Sequence, residues 1–235
     1  MNSMYVAGAV EKNQMGEVLT VSKTAGENGS AVANFVVNTG HAYIRTTVFG
    51  HTVEFLQKNL HDGDYVVARG SLRTSQRDGK SYTDFVADSY NGVELCYENP
   101  VKMNIVMLRG RLCADAEAHE KSTTARIAVQ RPRRGDNTDT ADFFSVVAFG
   151  DDDRRNLANY KKGDYIAIVG HENISSYERD GEKRRSVSIV IDELLSDNKE
   201  AAPEPAAPTP TPVPQPKAAS VDEMPADDDL PFEFN

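Results

Sequence analysis

Cysteine is scarce: Cys96 and Cys113 are the only two, too few for a disulfide framework or a metal site by themselves. Isolated thiols suit a reducing compartment. No stretch approaches the roughly 18 consecutive apolar residues that a membrane-spanning helix requires. The start, "MNSMYVAGAV", lacks a basic segment followed by a long apolar core, so no signal peptide is expected. These absences predict a soluble, cytoplasmic protein with no membrane partner. Catalytic signatures are missing too. His41, His51, His61, His119 and His171 form no ligand-spaced set, and there is no nucleophile elbow or phosphate loop. The expectation is no enzyme, no catalytic residue, no bound metal and no cofactor.

The formal charge of −10 argues against a general polyanion binder, but it is unevenly spread. From Lys199 to Asn235 there are two basic and eight acidic residues, whereas residues 103–196 hold 15 Lys+Arg against 16 Asp+Glu. A near-neutral domain still binds nucleic acid if its cations gather on one face.

An internal repeat organises the chain. "TTVFG" at 46–50 returns as "VVAFG" at 146–150, and "GDYVVARG" at 63–70 as "GDYIAIVG" at 163–170. "VANFVVN" is answered by "TARIAVQ", and "RDGKSYTDFVADSY" by "RDGEKRRSVSIVIDEL". Within each copy, short alternating apolar runs are separated by turn signals such as "ENGS", "RDG" and "KKGD", which predicts β-strands. One helix interrupts each copy, at "TVEFLQKNL" and "DRRNLANY". Asp151 to Asp153 are placed to cap and charge the second helix rather than to hold a metal. Five or so strands with one helix fit a small closed or partly open barrel. "APEPAAPTPTPVPQPKAAS" reads as an extended, unfolded spacer.

Side chains alternate across a strand, so parity sorts them into faces. In the second copy Phe144, Val146 and Ala148 share one side, and Phe143, Ser145, Val147 and Phe149 the other. In the first, Ile44, Thr46 and Val48 oppose Tyr43, Arg45, Thr47 and Phe49. Aromatic, basic, polar and aromatic residues in sequence make poor core but suit base stacking beside phosphate neutralisation. The alternative is that both faces are buried; Tyr43 with Arg45 favours the exposed surface. Phe35 and Ile127 lie in apolar runs and read as core. Tyr65, Val67, Arg69, Ser71 and Arg73 share a parity, followed by Arg77 and Lys80 in a turn. His171, Asn173, Ser175, Tyr177 and Arg179 do the same, followed by Lys183, Arg184 and Arg185. "QRPRRGD" at 130–136 adds Arg131, Arg133 and Arg134 in a loop. A basic hairpin beside aromatic strands makes a groove able to follow a sugar–phosphate backbone.

These motifs, from "MNIVMLRGRL" through "ADFFSVVAFG" to "SVSIVIDEL", resemble the OB-fold domain of bacterial or phage single-stranded DNA-binding proteins over residues 103–196. Residues 4–97 look like a divergent copy. The resemblance implies an all-β chain of two tandem five-stranded OB barrels, each with a short helix, followed by a disordered acidic tail. The expected boundaries are 1–99, 100–197, a Pro/Ala-rich linker at 198–220 and a partner-binding tail at 221–235. It implies sequence-independent binding and protection of single-stranded DNA in replication, recombination and repair, by a nucleoid-associated homodimer of four OB folds. Phe143 matches a stacking aromatic that is tryptophan in many members, and Tyr43 takes its place in the first copy. Phe149 and Phe49 match a second contact. Tyr177 matches a hairpin aromatic where the first copy has Ser75, and Tyr82 joins the stacking set. With no tryptophan in the chain, stacking rests on Phe and Tyr. The first 102 residues carry nine Lys+Arg, so the second copy is expected to dominate affinity. Single-stranded RNA, or an adaptor role with OB folds as scaffolds, are the competing readings.

The closing "ADDDLPFEFN" resembles the family's acidic, hydrophobic-tipped motif. Asp227, Asp228, Asp229, Leu230, Pro231 and Phe232 would recruit replication, recombination and repair proteins, with acids for a basic rim and an apolar tip for a pocket. The family's motif ordinarily ends on its Phe; here Glu233, Phe234 and Asn235 follow.

Overall fold

Strands dominate because the repeat units alternate apolar and polar residues over runs too short for helices. The computed structural model describes residues 1–22, 31–77, 80–97, 101–132, 140–179 and 182–195. In the first repeat these are β1 (Asn2–Glu11), β2 (Thr20–Ser22), β3 (Val32–Asn38), β4 (Tyr43–Phe49), α1 (His51–Asn59), β5 (Tyr65–Arg77), β6 (Lys80–Ala87) and β7 (Val93–Cys96). The second repeat has β8 (Met103–Leu112), β9 (Glu117–Ala118), β10 (Thr123–Gln130), β11 (Ala141–Ala148), α2 (Asp151–Ala158), β12 (Tyr165–Arg179) and β13 (Glu182–Leu194).

The first barrel closes in the order β1-β3-β4-β6-β5-β1, and its β4–β6 pairing is parallel. The second repeats this as β8-β10-β11-β13-β12-β8, with β11 and β13 parallel. Both are five-stranded OB barrels, as the resemblance implied. Phe35, Ile44, Val48 and Phe85 fill the first barrel, and Ile127, Phe144, Val146 and Ile189 the second. Gly70 and Gly170 occupy equivalent points where strands cross closely. A Cβ on either would collide with the carbonyl of Val86 or Val190. Asp151 and Asp152 put charge at the start of α2 and pair with Arg154 and Arg155 at 3.0 and 2.7 Å. They make no cap hydrogen bond; the cap position is Gly150.

The two barrels are joined by an antiparallel ladder between β1 and β8, running from Asn2↔Leu108 to Ala7↔Met103. With Asn2 aligned to Asn104 and Gly8 to Gly110, Met4 pairs with its own counterpart, Val106. The junction is therefore a local pseudo-two-fold within one chain. Where β1 leaves β5 beyond Met4↔Gly70, the Asn2 amide stands in for strand backbone. Its Nδ2–H donates to the Leu72 carbonyl at 2.7 Å, and Leu72 N–H donates to Oδ1 at 3.0 Å. Asn104 repeats both bonds with Glu172, at 2.8 and 3.1 Å.

A second joint breaks the symmetry. Thr74 of β5 donates its N–H and hydroxyl to Asp142 Oδ1 of β11, at 2.7 and 3.1 Å. Arg131 grips both carboxylate oxygens at 2.6 and 3.0 Å and donates to the Thr74 carbonyl at 2.8 Å. Arg73 adds a contact at 3.3 Å. Asp142 is fully buried. Burial alone would raise its carboxyl, but the hydrogen bonds from Arg131 and Thr74, with the Arg131 charge, hold it below the usual carboxylate range. Glu172 is the opposite case. It stands where the first barrel has the fully buried Leu72, and among the described residues its Oε2 has no hydrogen-bond partner. Burial pushes its carboxyl up to about 7, with Arg185 opposing and Asp84 reinforcing the rise.

Two stability predictions follow from these carboxyls. Asp142→Ala strands two guanidinium groups and the Thr74 N–H, and should cost about 3 kcal/mol in denaturant unfolding at pH 7. Because the folded-state value is depressed, that difference should shrink as pH falls through it. For Glu172 the folded form holds its proton longer than the unfolded chain, so wild-type stability should fall as pH rises from about 4.5 to about 7. Glu172→Gln should remove that slope and gain up to roughly 3 kcal/mol at pH 8. An unchanged slope would contradict the assignment.

Candidate nucleic-acid interface

Parity along β4 and β11 is realised in the fold. Ile44, Thr46 and Val48 are buried, as are Phe144, Val146 and Ala148. On the opposite side Tyr43 is 59% exposed, Phe143 46% and Phe149 56%; Phe49 is half-buried, and Arg45 and Ser145 are exposed. Phe35 and Ile127 are core. The aromatic pairs thus sit at the same two places on both barrels, because strand period and repeat register coincide. Tyr82, also exposed, lies on β6 beside β4. β6 pairs in parallel with β4 at Thr46↔Phe85 and Thr47↔Val86.

The arginines divide by what they touch. Arg45 and Arg185 are exposed. Arg69 pairs with Asp88 at 3.1 Å, while Arg73 and Arg131 converge on Asp142. These three line a cleft of about 740 Å³ together with Met1, Tyr5 and Pro132. The guanidinium of Arg131, one of the expected DNA-contacting arginines, bonds both Asp142 oxygens within its own repeat and the Thr74 carbonyl of the other. It positions Phe143 indirectly, since Phe143 N–H donates to Thr74 Oγ1 at 3.2 Å.

Arg77, Lys80, Tyr177, Arg179, Lys183 and Arg184 lie on described strands, but their side chains fall outside the described residues. So do Arg133, Arg134 and the whole tail motif Asp227, Asp228, Asp229, Leu230, Pro231 and Phe232. The asparagine clamps align Leu72 with Glu172, which sets Ser75 level with Ser175 rather than with Tyr177. Tyr177 belongs to the longer second hairpin, whose first strand has 15 residues against 13.

Parity on β4 and β11 missed two groups on neighbouring strands. Arg126 of β10 is exposed, with its guanidinium 5.5 Å from the Phe143 ring centroid. Its outward placement was available from "TTARIAVQ", where Ile127 and Val129 turn inward. Arg109 and Arg111 of β8 flank the Tyr165 ring at 5.1 and 4.5 Å. Their first-repeat counterparts are Ala7 and Ala9, so the repeat itself hid them.

Residues 103–196 match the model of the Single-strand binding protein family. A protein named single-stranded DNA-binding protein from Fusobacterium nucleatum is 33% identical over 100 residues, covering 39% of this chain and 65% of that protein. One of the same name from Clostridium tetani is 38% identical over 100 residues, covering 39% and 68%. With a third from Clostridium perfringens, the chain spans 63–68% of these relatives' lengths. In fold, a deletion mutant of the single-stranded DNA binding protein from Thermus aquaticus matches 87% of this chain and 98% of its own. The TM-score is 0.63 at 16% identity. The wild-type Thermus aquaticus protein covers 83% of this chain with a TM-score of 0.60 at 17% identity. At such identities the likeness is one of fold, and it extends over both repeats where the family model matches 103–196. The chain belongs to the single-strand binding protein family.

Proposed function

We propose that this chain binds single-stranded DNA without sequence preference, as a protecting and organising factor in replication, recombination and repair. The observation that carries the reading is the recurrence of one outward surface on two barrels: Tyr43 and Phe49 on β4, Phe143 on β11 and Phe149 just past its end. Each stacked base is worth about 1–3 kcal/mol and demands only a π-face, so phenylalanine and tyrosine suffice. The names of the relatives support DNA as the ligand. In this reading domain 1 spans 1–99, domain 2 spans 100–197, and two chains pair to present four OB folds. Residues 198–220 tether the acidic motif at 227–232, which recruits other DNA-processing proteins in the cytoplasm.

Fluorescence titration with poly-dT, poly-U and duplex DNA over a salt series tests this. Strong preference for poly-dT over duplex, weakening as salt rises, is expected; no preference over duplex would overturn it. Tight, equal binding to poly-U would shift the reading to RNA. Tyr43→Ala with Phe49→Ala should cost less affinity than Phe143→Ala with Phe149→Ala, since the second repeat is richer in cations. Equal losses would refute that division of labour.

A further inference from the structure

The two repeats differ at one point of their shared surface in a way that a linear alignment misreads. Arg45 of β4 is matched in the second repeat by Ser145 of β11, so the cation beside the stacking aromatic looks lost. The ladders say otherwise. In the first barrel Arg45 pairs across the strands with Val36 of β3. In the second, Ser145 pairs with Arg126 of β10. The same cross-strand pair therefore holds one arginine in each barrel, contributed from opposite strands. The two cations stand over the same patch of barrel surface, next to Tyr43 in one repeat and Phe143 in the other.

We propose that Arg126 is a phosphate-contacting residue of the second repeat that also positions the Phe143 ring, filling from β10 the role Arg45 fills from β4. This rests on the single-stranded DNA reading and adds a residue to it. Three observations favour Arg126 over the arginines nearby. It is exposed on the face that carries Phe143. Among the described residues no carboxylate pairs with it, whereas Arg69 is neutralised by Asp88, and Arg73 and Arg131 share Asp142. Its guanidinium lies 5.5 Å from the Phe143 centroid, covering one ring face. A cation–π contact leaves that charge intact and its N–H donors free at the rim. The uncovered ring face is then open to a base, while the guanidinium edge meets the phosphate beside it.

The test uses the full-length protein and poly-dT affinity over a salt series. Each single-strand phosphate contact contributes about 0.7 to the slope of log affinity against log salt. Arg126→Gln should flatten that slope by about 0.7, as Arg45→Gln should. Arg126→Lys should keep the slope but lose affinity, because lysine restores charge without the planar stack. Moving the charge back to β11, with Arg126→Ser and Ser145→Arg together, should recover the wild-type slope. A wild-type slope in Arg126→Gln, with wild-type protein binding normally, would overturn the proposal and leave the DNA reading standing. So would an Arg126→Lys slope as flat as that of Arg126→Gln, or a transplant that recovers nothing. Wild-type protein without salt-dependent poly-dT binding would overturn both.

Discussion

The β1–β8 ladder is the constraint on which the rest of the molecule depends. An antiparallel pairing of equivalent strands uses the free edge of one barrel to cover the free edge of the other. It places Met4 and Val106 at a pseudo-two-fold point, each fully buried. The apolar residues of both barrels then form one connected core cluster. Each strand must also keep its own barrel closed, and it cannot do so with backbone alone once it has turned toward its partner. Asn2 and Asn104 resolve this by offering side-chain amides where the ladders to β5 and β12 run out. The aromatic faces of the two barrels consequently hold a fixed relation within one body.

Covalent linkage of the repeats removes the requirement that the joint be symmetric. In an isologous contact any change appears twice; in one chain each side varies alone. The sequence has used that freedom at three places. Thr74 and Asp142, with Arg131 and Arg73, make a charged joint where the mirror positions Ile174 and Ala42 are apolar. Leu72, in the core of the first barrel, is matched by Glu172, whose carboxyl gains little there and resists ionisation. The same freedom moved the arginine beside the stacking aromatic from β4 to β10.

Much of the barrel and of its outward face was legible in the sequence, for a local reason. Strand parity has a period of two, so Phe143, Ser145 and Phe149 declare their side without knowledge of any partner, and a repeat fixes strand order twice over. Contacts across strands carry no such signature. That Thr74 and Arg73 meet Asp142 and Arg131 follows from a hairpin of the first repeat reaching the second. Arg126 was hidden because it lies one strand away from the aromatics that drew attention. The β1–β8 pairing was equally invisible, since nothing in "YVAGAV" or "VMLRGR" says whether its second edge meets solvent or another strand. The capping role expected of Asp151 to Asp153 failed because their carboxylates go elsewhere: Asp151 and Asp152 turn outward to Arg154 and Arg155, and Asp153 Oδ1 accepts the Leu194 N–H of β13.

The ladder makes the two barrels a single cooperative unit. Native-state hydrogen exchange along β1 and β8, as denaturant is raised, measures it most directly. The amides of Met4, Val6, Val106 and Leu108 should exchange only through global unfolding. The core amides of both barrels, such as Ile44 and Phe144, should then merge onto the same opening free energy. If the first barrel instead opens at a lower free energy while the second keeps its protection, the barrels are merely neighbours on a chain and the ladder does not couple them.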